Sequence, residues 1–211
     1  MAGVKNALTS RLLATCRQAS TQPGKSAALC AFVLALSSAI CAAAPDKAKT
    51  TPLSERVIYL HYNHTGAPSA ISRDQAIAAG EHAAKVWLAC DDIRFVMSSD
   101  SLAKPGVRDG QYIIGWAAKI PAGAGTTAGA LSAVLPYIRD GKIIEFDIVL
   151  NAKTVHTADD AVGTLVYSLG RALGLPDSAQ PGSVMQQKAT YTESSPRPNR
   201  ADIKACLELY P

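Results

Sequence analysis

Residues 130–150 constrain the fold more tightly than any other part of the chain. Two apolar runs, ALSAVLPYI (130–138) and IIEFDIVL (143–150), flank Arg139-Asp140-Gly141-Lys142. Asp-Gly readily takes the positive φ angles of a two-residue turn, so the segment is expected to be an antiparallel β-hairpin. Other runs must join its sheet. VIYLHY (57–62) is nearly continuous in apolar residues and reads as a strand covered on both faces. Residues 93–97 and 112–116 read as two more strands, divided by a polar loop containing Pro105-Gly106 and Asp109-Gly110.

Helices are expected between and after these strands. Ser72, with Gln75 three residues on, can cap a helix whose apolar side carries Ile77, Gly80, Ala84, Trp87 and Leu88. Thr157 and Asp160 open a second helix, which runs through Val162, Leu165, Val166, Leu169 and Leu173 to Gly174. Asn199 and Asp202 start a last helix containing Cys206. Strands and helices alternate in short steps without an internal repeat, which implies one compact α/β or α+β domain over residues 56–211.

The net charge of +4 belongs to one end of the chain. Residues 1–44 contain Lys5, Arg11, Arg17 and Lys25 and no acidic residue; the remainder therefore has 21 − 4 = 17 basic against 17 acidic side chains. A neutral domain offers no electrostatic basis for binding nucleic acid. Within the basic segment, residues 26–44 (SAALCAFVLALSSAICAAA) are uncharged and end in small residues. That is the pattern of a signal peptide, so the domain is expected to be exported to a periplasmic or extracellular space behind a polar spacer, 45–55. An uncleaved anchor through 26–44, which would tie the chain to a membrane, or an organelle transit peptide are the alternatives.

Three of the five cysteines, Cys16, Cys30 and Cys41, lie in that leader, which leaves Cys90 and Cys206. In an oxidising compartment they are expected to form a disulfide, with two buried free thiols as the alternative. Neither belongs to a C-x-x-C pair. The four histidines, His61, His64, His82 and His156, share no ligand spacing with one another. Asn63-His64-Thr65 is a glycosylation sequon.

Residues 164–185, TLVYSLGRALGLPDSAQPGSVM, resemble the signature of the matrixin branch of the metzincin zinc peptidases. That signature is H-E-x-x-H-x-x-G-x-x-H followed by a Met-turn. Two His four apart on a helix and a third beyond a glycine turn hold zinc, and the Glu helps to activate its water. The frame is present here in Leu169-Gly170, Gly174-Leu175-Pro176, Ser178 and Pro181-Gly182-Ser183-Val184-Met185. Its chemical residues are replaced: Tyr167 stands at the first His, Ser168 at the Glu, Arg171 at the second His and Asp177 at the third. Ala133 and Glu145 fall where relatives hold a structural zinc through His.

The resemblance implies an α+β, zincin-like fold. Its sheet would have about five mostly parallel strands and one antiparallel edge strand, with two long helices on it and a C-terminal helix. It also implies a vestigial active-site cleft formed by Tyr167, Ser168, Arg171, Asp177 and Met185, with no catalytic residue, no metal and no cofactor. Arg171 is a permanent cation and opposes a dication in the same place; it is expected to pair there with Asp177 and Tyr167. Relatives bind substrate as a strand added beside the outer strand of the hairpin, which here implies a peptide or protein partner along 130–138, unless loop 117–128 blocks that edge. Ser168, with no His beside it, lacks the base that a serine-type hydrolase needs.

Overall fold

The computed structural model describes residues 50–90, 92–121, 129–187 and 195–211. The leader, the start of the spacer and most of loop 117–128 lie outside the described residues. Among those described, no helix is long and apolar enough to cross a membrane.

Five strands form one sheet: β1 (Val57–Tyr62), β2 (Arg94–Asp100), β3 (Tyr112–Ala117), β4 (Ser132–Arg139) and β5 (Lys142–Asn151). Their order is β2-β1-β3-β5-β4, with all neighbours parallel except the antiparallel pair β4 and β5. The hairpin turn forms as its residues dictate, Asp140 and Gly141 both taking positive φ, 51° and 73°. The helices are α1 (Arg73–Val86), α2 (Ala158–Ala172) and α3 (Arg200–Leu209). This is an α+β fold with a mostly parallel sheet and one antiparallel edge strand.

Each helix starts at the residue whose side chain can satisfy its free amides. Ser72, Thr157 and Asn199 accept from N–H groups of the first turn, while Gln75, Asp160 and Asp202 reach back to the capping residue's own N–H. On the helix side of the sheet, Ile58, Leu60, Phe146, Ile148 and Leu150 are fully buried. α1 packs on β2, α2 on β4 and β5, and the two helices on each other. Close approach depends on small residues: a Cβ on Gly80 would lie 2.8 Å from Met97 Sδ.

Two expectations from the sequence need correction. β1 is covered on one face only, Val57 and Tyr59 being 43% and 57% exposed. A continuous apolar run does not tell whether a second layer exists, and in this fold the helices lie on one side. Leu88 is also exposed, because α1 gives way to a 3-10 turn at Trp87–Ala89 and the helical spacing no longer applies.

On the opposite face, the loop joining β2 to β3 folds over β3 and β5. Pro105 lies against Gly115, where a Cβ would come within 2.9 Å of its ring. Two buried carboxylates of β5 hold this loop through its backbone. Asp147 accepts from the N–H groups of Gly106 (2.6 Å) and Ile113 (2.9 Å). Glu145 accepts from Asp109 (3.2 Å) and Gly110 (2.7 Å).

Residues 51–54, assigned from sequence to the spacer, are integrated into the fold. Leu53 is buried and bridges to Ile143, and its N–H donates to Tyr210 Oη, which in turn donates to the Leu173 carbonyl. Cys90 and Cys206 form a disulfide with Cα atoms 5.7 Å apart, joining the end of the first helical segment to α3 across 116 residues. In the chain-entropy picture, closing so long a loop is worth about 4–5 kcal/mol.

Candidate functional site

α2 carries the side chains singled out by the sequence, and its sidedness separates them. Its apolar residues, Ala161, Val162, Leu165, Val166, Leu169 and Ala172, are buried, while Tyr167 is half-buried and Arg171 partly exposed. Acidic residues sit in its first turn and Arg171 in its last, the arrangement its dipole favours. The helix ends in a Schellman turn. Leu175 N–H donates to the Gly170 carbonyl (3.0 Å), Gly174 N–H to that of Arg171 (2.9 Å), and Gly174 has φ +87°. Gly174 is required on a second ground, since the Thr51 carbonyl occupies the space where a Cβ would stand.

The reversal returns Asp177 to the exposed flank of α2. Tyr167 Oη donates to Asp177 Oδ1 at 2.6 Å, and the Arg171 guanidinium lies 3.5 Å from the same oxygen. Arg171 also donates to the Leu175 carbonyl at 3.0 Å, which fixes it to the turn. Tyr167, Arg171 and Asp177 therefore meet. The Arg171 and Asp177 side chains are 40% and 51% exposed, so solvent screens the pair and its net worth is at most about 1 kcal/mol.

Ser168 does not join this group. It is fully buried on the sheet side of α2, where its Oγ donates to the Thr164 carbonyl (2.7 Å). Its single proton being used, the 2.7 Å contact with Ser132 Oγ runs from Ser132 to Ser168. The hydroxyl faces β4 rather than a cleft, and neither partner is a base. Helical periodicity carries the reason: Tyr167 and Arg171 are four apart on one flank, and Ser168 is turned from them toward the core.

Met185 is buried beneath α2, against Gly170 and Trp87, in space that a side chain at Gly170 would fill. Trp87 Nε1 donates to the Val166 carbonyl at 2.8 Å and completes this floor. The Met185 carbonyl accepts from Ser178 N–H (2.9 Å), which ties the chain after Asp177 to the turn at 183–185. Asp202 of α3 anchors that turn, accepting from Ser183 Oγ (2.5 Å) and Val184 N–H (3.0 Å). From the sequence Asp202 reads as a helix-start residue only; the structure adds this second duty, for which the sequence carries no separate signal.

Glu145 and Asp147 were also not singled out as a pair. The available signal was two acids at alternate positions of an otherwise apolar strand, each bound to need partners if buried. Burial pushes the Asp147 carboxyl up to about 6, its two amide donors opposing the shift and the neighbouring Glu145 charge adding to it. Asn63 of the sequon is buried, with Nδ2 donating to the Ala103 carbonyl (2.7 Å) and Oδ1 accepting from Thr65 N–H (2.8 Å), so the folded chain does not present that nitrogen for modification. At the end of β1, Trp116 Nε1 donates to Tyr62 Oη, which is also hydrogen-bonded to His64 Nδ1, each at 2.8 Å.

The donor set around Asp177 does not suit a divalent metal. It comprises one carboxylate, a phenol that already donates, and a guanidinium that cannot lose its proton. Among the described residues no group of three or more His, Cys, Asp or Glu could hold a metal ion. What the arrangement offers is a polar, half-exposed flank of α2 beside β4, the last strand of the sheet. No family model matches the sequence, and no curated protein matches it.

Proposed function

We propose that this chain is an exported, catalytically inactive relative of the matrixin metallopeptidases, which uses the edge of its sheet to hold a peptide or protein segment. The observation that carries the reading is the meeting of Tyr167, Arg171 and Asp177 across the Gly174 turn, above Met185. In an active relative those three positions would bring histidines to one zinc. Here a guanidinium takes the place of the cation, and an ion pair and a phenol hold the chain crossing that zinc would hold. Ser168, at the general-base position, is spent on a packing contact with β4. Binding by strand addition needs backbone donors and acceptors rather than a metal, so that part of such a domain's function can outlast its catalysis.

Metal analysis of the purified protein after growth with zinc and dialysis tests the reading, together with a peptidase assay on a mixed peptide substrate. Substoichiometric zinc and no turnover are expected. Roughly one tightly held zinc per chain would overturn it and direct attention to the histidines. Turnover blocked by a serine reagent would overturn it differently, by giving Ser168 a base that its buried position lacks.

A further inference from the structure

We infer that a segment docked on the sheet edge is confined to residues 132–135, because Pro136 removes the next outward donor. This deepens the proposed binding role and rests on it. In an antiparallel ladder each residue turns both its N–H and its C=O either toward the partner strand or away from it, in alternation. Pro136 stands opposite Phe146 and has no N–H, so it belongs to the set turned away. Ser132 and Val134 share its parity and also point outward, whereas Ala133, Leu135 and Tyr137 bond β5.

Two independent contacts agree with this phase. Asn151 N–H donates to the Leu131 carbonyl at 2.8 Å, which turns position 131, of the opposite parity, toward β5. At the other end Ile143 uses its N–H and C=O on Pro52 and Ser54, each at 2.8 Å, so its partner Ile138 is left facing outward. Outward donors thus occur at Ser132 and Val134, are missing at Pro136, and resume at Ile138 past the ladder irregularity at Tyr137/Ile138.

The edge therefore presents two complete donor–acceptor positions and then a lone carbonyl. The partner it fits is a short extended segment paired with Ser132 and Val134 that leaves the sheet by Pro136. Its side chains on the helix side would lie beside Ser132, next to α2 and the Tyr167 flank. The same proline keeps a long strand, such as the edge of a second copy, from extending the sheet along the whole of β4.

Residue-resolved amide exchange on the full chain tests this, with a pool of N-acetylated, C-amidated random octapeptides at millimolar total concentration as the probe. Slowed exchange at Ser132 and Val134 but not at Ile138 or Arg139 is expected. In Pro136→Ala, which restores an outward N–H, protection should spread to residue 136 and affinity for the pool should rise about three- to tenfold, the worth of one added hydrogen bond. Protection reaching Ile138 in the unmutated chain would overturn the confinement and leave edge binding intact. No change at any β4 amide, with or without protection of β2, would overturn the binding role itself. If Pro136→Ala instead stabilises the free protein by adding a bond to β5, the phase is wrong and the inference falls.

Discussion

The two faces that flank β5 hold their charged groups in opposite ways. On the outer face Glu145 and Asp147 are buried, no ion pair serves either among the described residues, and each accepts from two backbone amides, both from the loop above for Glu145 and one from that loop and one from β3 for Asp147. On the helix side Arg171 and Asp177 form an ion pair that solvent reaches from one side. Backbone donors fixed by a loop cannot turn away, so the buried carboxylates constrain the chain strongly. An exposed ion pair gains little and can be rearranged. The difference places structural rigidity under the loop at 101–111 and adaptability on the α2 flank.

Replacement of Asp147 by Ala gives the largest expected effect of this contrast. It leaves the Gly106 and Ile113 amides without acceptors in a buried site and should cost about 2–5 kcal/mol by urea denaturation. Asp177→Ala should cost less than about 1 kcal/mol; a larger loss than for Asp147→Ala would reverse the comparison.

Gly174→Ala comes next, at about 2–4 kcal/mol, since it adds strain at positive φ to a clash with Thr51. Because Thr51 belongs to the N-terminal segment, proteolysis near residue 50 should also accelerate. Unchanged cleavage would show that this segment is held without the turn.

Asp147 also predicts a pH dependence. Its folded carboxyl titrates near 6 against an ordinary value of 3.8, so the folded state holds the proton more tightly than the unfolded chain does. The resulting stability is fully present below about pH 4 and is lost as pH rises through about 6, an effect on the order of 2–3 kcal/mol. Stability followed from pH 4 to 7 should fall in the parent chain and flatten in Asp147→Asn; equal slopes would assign the titration to another group.

The smallest effects lie where α2 meets β4. Ser168→Ala strands the Ser132 hydroxyl and should cost about 1 kcal/mol. Thr164 Oγ1 is buried with no hydrogen-bond partner among the described residues, so Thr164→Val, nearly the same shape, should be neutral or stabilising in thermal melts. A clear loss there would mean that the hydroxyl has a partner after all.

Much of the fold was legible because its signals are local. Ser72, Thr157 and Asn199 cap helices through contacts within three residues, and Asp140-Gly141 turns the hairpin through its own φ angles. The site was legible in part. The spacing of Tyr167 and Arg171 put both on one helical face, and the resemblance to the matrixin signature implied that Asp177 returns to that face after the Gly174 turn; the three do meet. The inward turn of Ser168 was not legible, because the motif's spacing carries no record of which side of α2 meets β4.

The sequence by itself determined where the helices start, where the hairpin turns and that Tyr167 and Arg171 share one flank of α2. Tertiary structure alone decided that Val57 and Tyr59 face out, that Glu145 and Asp147 hold a loop, and that Asp202 anchors the turn at 183–185. The first group depends on backbone geometry over a few residues. The second depends on which surfaces meet across tens of residues, and a hydrophobic run or a lone carboxylate carries no record of what will cover it.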